Sequence, residues 1–176
     1  MNREGNQESI ARGNRDSATL EHHAPILLIG YGNPLRADDG ISWAVTGEIR
    51  ARLGALPVKV IECLQLYPEM ADQFRDASLV VFVDAAVEGS PGEWRHHRLR
   101  SGGYISAFSH SPTPAGLLAL AADLYGAAPE AHLFTVCGSS FEYGACFSPE
   151  VASALPSVVA EIENLLRTAG RGMPVD

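Results

Sequence analysis

Short unbroken apolar runs separated by amphipathic stretches set the pattern of this chain. Ile26-Leu27-Leu28-Ile29-Gly30 is apolar throughout and closed by glycine, which predicts a strand buried on both faces. A polar loop follows with an acidic pair near its end. From Asp39 onward Ile41, Val45, Ile49 and Leu53 recur every fourth residue, the stripe of an amphipathic helix. Residues 58–62 predict a second strand, and Pro68 opens a short helix to about Arg75. Residues 78–84 predict a third strand, apolar until it terminates on Asp84. Residues 93–99 alternate roughly, as a half-exposed antiparallel strand near a sheet edge would. Beyond the loop at 102–111, Pro112 or Thr113 opens a helix with Leu117, Leu120, Ala121 and Leu124 on one face. Residues 132–137 predict another buried strand. Ser148, with Pro149 and Glu150, reads as the cap and first turn of a last helix. That helix carries Val151, Leu155, Val158, Val159, Ile162, Leu165 and Leu166 and ends near Gly170.

Strands alternating with helices predict an α/β fold. It is a three-layer sandwich with a mostly parallel twisted sheet, helices on both faces and one antiparallel edge strand. In such sheets successive strand ends share one edge, and ligands bind beyond it where the winding reverses. Residues 1–23 are polar and aperiodic and are expected to be a disordered tail outside the core. The single domain is expected over 24–170, with 171–176 a short C-terminal tail.

Composition narrows the partners. The 176 residues are 46% hydrophobic and 19% charged, ordinary globular usage, and the net charge is −8. Nucleic acid and anionic membrane are therefore unexpected partners, because phosphate binding needs clustered Lys and Arg. There is neither a spanning apolar run nor a secretory signal pattern, so a cytoplasmic location is expected. Cys63, Cys137 and Cys146 are odd in number and form no C-x-x-C pair, which excludes a zinc ribbon and argues against a disulfide scaffold. Cys63 and Cys137 end predicted strands and read as small buried hydrophobes.

The candidate chemistry lies on the carboxyl edge. Asp39 follows the first strand by a loop, Asp84 ends the third, and His110 sits in the loop before the next helix. Together they make an O,O,N set suited to a borderline divalent ion, with positions left open for a partner's ligands. Bland readings stand beside these. Asp38 suits a helix N-cap, with Asp39 then favoured by the helix dipole, and a loop histidine is commonly just solvated. Asp84 is harder to dismiss, since a carboxylate closing an apolar strand is partly desolvated and needs a partner.

Other motifs fail. Gly30-Tyr31-Gly32-Asn33-Pro34-Leu35 has Leu35 where a dinucleotide fingerprint needs its third glycine, although Glu62 stands where a ribose-binding acid would. Gly138-Ser139-Ser140-Phe141-Glu142 lacks the final glycine of a nucleophile elbow. His96 and His97, adjacent on a strand, point to opposite faces and read as surface.

Gly30-Tyr31-Gly32-Asn33-Pro34-Leu35-Arg36-Ala37-Asp38-Asp39-Gly40 resembles the G-x-G-N-x-L-x-x-D-[DE]-G motif that opens the nickel–iron hydrogenase maturation proteases. Val83-Asp84-Ala85 and Ser109-His110-Ser111-Pro112-Thr113-Pro114 continue the likeness in the same order. The resemblance implies an endopeptidase that removes the C-terminal extension of the hydrogenase large-subunit precursor once nickel is inserted. It implies Asp39 and Asp84 as acidic metal contacts, His110 as the imidazole, and Gly32, Asn33 and Asp38 as the supporting loop. Nickel would be carried by the precursor's cysteine thiolates, not tightly by this chain, which is expected to be a monomer. Two departures stand out. Glu62-Cys63-Leu64-Gln65-Leu66 occupies the place of a frequent Gly-Gly-Thr turn, and Asp39 replaces a frequent Glu. The chain has no catalytic triad and no H-E-x-x-H helix, which argues against a general protease; within the resemblance a precursor-borne metal would supply the Lewis acid and Asp39 or Asp84 the general base. Two other readings stand beside it: a non-catalytic assembly factor that uses the same crevice to hold the loaded precursor, and a nucleotide or small-ligand domain on the same fold.

Overall fold

The structure, a computed structural model, describes residues 26–54, 56–100 and 112–171 of the chain. Five strands form one sheet in the order β2-β1-β3-β5-β4. They are β1 (Ile26–Tyr31), β2 (Val58–Cys63), β3 (Leu79–Ala86), β4 (Trp94–Leu99) and β5 (Glu130–Cys137). β2, β1, β3 and β5 run parallel, and β4 pairs antiparallel with β5 at the edge.

The unbroken apolar runs have a simple cause: both faces of the sheet are covered. Ile26 and Leu28 of β1, with Val81 and Val83 of β3, face a layer made by α1 (Ile41–Arg52) and α3 (Pro149–Arg171). Leu27, Ile29, Val80 and Phe82 face the other way, onto a short 3-10 helix (Pro68–Phe74) and α2 (Pro114–Tyr125). This is the three-layer sandwich that the alternation predicts.

Local chemistry sets the helix ends. The Thr113 hydroxyl accepts from the Gly116 N–H at 3.1 Å, Pro114 occupies the first turn, and Gly126 ends α2 in the left-handed region at φ 67°. The buried face of α2 is Leu117, Leu118 and Ala121, which corrects the expected stripe. Leu120 is only partly buried and Leu124 is exposed, because the helix meets the 3-10 layer along its Leu118 side. In α3 the buried stripe is Val151, Ala154, Val158, Val159, Ile162 and Leu166, with Leu155 and Leu165 at its margins. β3 does not terminate at Asp84. It keeps pairing with β5 through Ala86, so Asp84 lies within the ladder opposite Thr135. The expected tail at 1–23 lies outside the described residues, as do residues 172–176.

β1 sits between β2 and β3, so the chain leaves β1 toward one side and returns across it to the other. That reversal opens a crevice beyond the carboxyl ends of β1 and β3.

Candidate active site

The loop after β1 is shaped by one glycine. Gly32 has φ 135°, and a Cβ there would lie 2.4 Å from the Asp39 carbonyl oxygen. Glycine lets the strand end fold directly over Asp39. The Asn33 N–H donates to Asp39 Oδ2 at 2.8 Å, while Asn33 Oδ1 accepts from the Leu35 N–H at 2.9 Å. Trp43 Nε1 holds the Gly32 carbonyl at 3.0 Å. Asp39 is thereby fixed with its carboxylate at the crevice, in a 3-10 turn (Ala37–Gly40) that precedes α1.

Asp38 does not cap the helix, as local spacing had suggested; its side chain makes no capping hydrogen bond. It is fully buried and turned the other way. Oδ2 accepts from the N–H groups of Ser139 and Ser140 at 2.8 and 2.9 Å, and Oδ1 from that of Ser148 at 2.7 Å. Burial alone would raise its pKa. The three backbone donors and the Ser148 hydroxyl outweigh that and hold it below the usual carboxylate value. Asp38 thus clamps the β5–α3 loop onto the β1 loop. The join also holds Ala37 at φ 41°, its N–H bonded to the Gly144 carbonyl at 2.7 Å.

Asp84 reaches the same crevice from β3. Desolvation lifts its pKa to about 6; the Tyr31 hydroxyl and the Ala85 N–H, which hydrogen-bond it, pull the other way, and the charge of Asp39 adds to the rise. Tyr31 is itself pushed far upward by burial and by the Asp84 charge, so its hydroxyl stays a donor. The crevice holds about 240 Å³ and is walled by Tyr31, Leu64, Gln65 and Leu66 with the two acids, and among the described residues no basic side chain lines it.

Asp39 and Asp84 therefore meet, with Gly32 and Asn33 shaping the loop between them. His110 lies outside the described residues; Pro112, two positions on, forms part of the crevice wall. Among the described residues no group of three or more His, Cys, Asp or Glu is arranged to hold a metal ion. Tyr31 was not among the sequence candidates. Its one signal is an aromatic hydroxyl at the end of a strand whose other side chains are apolar.

The remaining polar candidates have other employment. Glu62 accepts from the Thr46 hydroxyl at 2.7 Å and pairs with Arg50 at 3.2 Å, so it is not a free ribose acceptor. Cys137 is buried, and its thiol donates to the Glu88 carbonyl at 3.0 Å; Cys63 is only partly buried, and burial pushes its thiol up. His97 is exposed as expected. His96 is exposed too, and one face of its ring stacks on Phe134, centroids 4.2 Å apart, while its Nε2 lies 2.6 Å from Nδ1 of the buried His132, whose Nε2 reaches Glu130 at 3.1 Å.

No protein-family model matches the chain, and no curated protein matches it in sequence. Solved structures do match in fold. The hydrogenase maturating endopeptidase HybD of E. coli superposes with a TM-score of 0.67 at 21% identity, over 83% of this chain and 94% of that one. The hydrogenase 2 maturation peptidase of a Thaumarchaeota archaeon gives 0.62 at 25% identity, over 81% and 97%. The [NiFe] hydrogenase maturation protease HycI of Thermococcus kodakarensis gives 0.64 at 20%, over 82% and 93%.

Proposed function

We propose that this chain, which resembles the nickel–iron hydrogenase maturation proteases in motif and in fold, is an endopeptidase that removes the C-terminal extension from a hydrogenase large-subunit precursor after nickel insertion. The observation that carries the reading is the convergence of Asp39 and Asp84 on one crevice at the switch point, with the motif's own Gly32 and Asn33 fixing the first acid.

Peptide hydrolysis needs a polarised carbonyl and a base for the attacking water. Asp84, with a pKa of about 6, is ionised at neutral pH yet more basic than an ordinary carboxylate, so it is the better matched of the two to take that proton. Asp39 is held by the Asn33 N–H as a fixed negative end of the crevice. Nickel belongs to the substrate in this reading. Two carboxylates offer hard oxygen donors and none of the thiolates that retain nickel, so the precursor's cysteines would hold the ion and the acids, with His110, would test for it. The bound ion would act as Lewis acid on the scissile carbonyl, and a precursor without nickel would lack it.

The test mixes purified protein with nickel-loaded and nickel-free precursor and follows chain length on a gel. Only the loaded precursor should shorten, and Asp84→Asn and His110→Ala should each abolish the shift. Cleavage of nickel-free precursor at the normal rate would overturn the reading. Stable binding of loaded precursor that is never shortened would assign a holding role instead.

A further inference from the structure

Among the described residues seven large apolar side chains are exposed, and their placement is not random. Five of them sit in the loops that leave the carboxyl ends of the four parallel strands. Leu35 follows β1, Leu64 and Tyr67 follow β2, Val87 follows β3 and Tyr143 follows β5. Val87 and Tyr143 each expose 77% of their surface, Leu35 64% and Leu64 63%. The other two, Leu124 and Tyr125, end α2, and the Arg75 guanidinium already covers the Tyr125 ring at 4.6 Å. Each loop spends an apolar side chain on solvent, which isolated surface residues do at random but four consecutive strand ends do not.

The charge at this edge says what kind of surface would cover it. Among the described residues the crevice at this edge is lined by two carboxylates and no basic group. Arg36 is the one basic residue in the four loops. Its guanidinium is drawn onto the Tyr143 ring at 4.7 Å and bonded to the Phe141 carbonyl at 3.3 Å, away from the acids. Apolar side chains on the same sheet edge as a pair of carboxylates complement a protein surface with a bound cation and apolar side chains beside it. Excluding water at such apolar contacts strengthens the charge interaction beside them, as the ring of contacts around an interface hot spot does.

Resting on the function proposed above, we infer that the rim of Leu35, Leu64, Tyr67, Val87 and Tyr143 is the docking surface for the folded body of the precursor around its metal. The extension to be cut would then need few contacts of its own. Recognition lies in the rim and chemistry in the crevice, so the two respond to different substitutions.

The experiment measures steady-state cleavage of nickel-loaded precursor by the full-length protein and three variants. Val87→Asp and Tyr143→Asp place a charge on the rim; Leu124→Asp places the same charge on an exposed leucine at the end of α2. Each rim variant should raise KM at least tenfold, with the loss falling on KM and not on kcat, while Leu124→Asp stays within twofold of the parent. Thermal melts of Val87→Asp and Leu124→Asp should match the parent, since both side chains are mostly in solvent, and Tyr143→Asp should melt within a few degrees of it, losing only the stacked Arg36. Unchanged KM in both rim variants, with the parent cleaving normally, would overturn the docking surface and leave the proposed function standing. A parent that neither binds nor cleaves the precursor would overturn both. Sedimentation supplies the remaining outcome: a parent dimer dissociated by the rim variants would make a second copy the occupant and overturn the assignment.

Discussion

Replacing Asp84 by asparagine should make the protein more stable and leave it unable to process precursor. Burial and the neighbouring Asp39 lift the Asp84 carboxyl from an ordinary 3.8 to about 6, so the folded state resists a charge that the unfolded state accepts freely. Ionising it in the fold costs about 3 kcal/mol above the upper value. Asparagine removes that cost. Its carbonyl can still accept from Tyr31, but its amide nitrogen cannot accept from the Ala85 N–H, which returns about 1 kcal/mol or more of the gain. The net expectation is roughly 1–2 kcal/mol at about pH 8, or ~2–8 °C in melting temperature for a chain of this size. The sign depends on pH. Because the folded pKa is the higher one, the cost is absent below the unfolded value, grows between 3.8 and about 6, and is complete above. Urea melts of parent and Asp84→Asn at several pH values test this directly. A gain at about pH 8 that disappears near pH 4, with cleavage abolished throughout, is the expected result. Equal stability at pH 8, or a gain of constant size down to pH 4, would refute the desolvated-acid account.

Asp38→Ala should remove three part-buried backbone hydrogen bonds to a buried carboxylate and cost on the order of 3 kcal/mol in a urea melt near neutral pH. Because the folded pKa of Asp38 is the lower one, its contribution is present above the ordinary 3.8 and lost as pH falls through the folded value; a variant as stable as the parent at pH 7 would contradict the clamp. Gly32→Ala should leave a folded protein that no longer cuts, because its Cβ lands on the Asp39 carbonyl; normal cleavage would show that the loop can move aside. His96 has its pKa lowered by burial, then by the adjacent His132, with Glu161 opposing and His97 adding slightly. The parent should therefore lose stability as pH falls through the ordinary 6.5, and His96→Gln should flatten that slope; parallel slopes in chemical melts would refute it.

What could be read from the sequence was whatever shows in short periods. The doubly covered strands announce themselves as apolar runs, and the edge strand by its polarity. The two acids could be placed because strand ends of a parallel sheet share an edge. The role of Asp38 could not be read, since its partners are backbone N–H groups more than a hundred residues away, and a backbone donor leaves no mark in a sequence. The buried stripe of α2 was misjudged for a related reason. Several leucines compete in that helix, and only the packing of Leu118 against the 3-10 layer decides which of them is covered. β3 was ended too early because an acid inside a ladder looks, in one dimension, like an acid that stops one. His132 hid inside an apolar run, where its partnership with His96 on a neighbouring strand gives no local signal. The role of His110 remains where the motif resemblance puts it.

The Asp38 clamp also fixes an order of events. Its acceptors wait for donors 101, 102 and 110 residues further along the chain. A chain emerging during synthesis can pair β1, β2 and β3 well before those donors exist. The loop that bears Asp39 has its local contacts to Asn33 and Trp43 from the start, but the far side of the Asp38 carboxylate is met only when β5 is in place and α3 has started. Contacts so distant in sequence close late, since the entropy of the intervening loop must be overcome first. A chain that has not yet reached Ser148 thus owns both acids without the Asp38 clamp that joins the β1 loop to the β5–α3 loop.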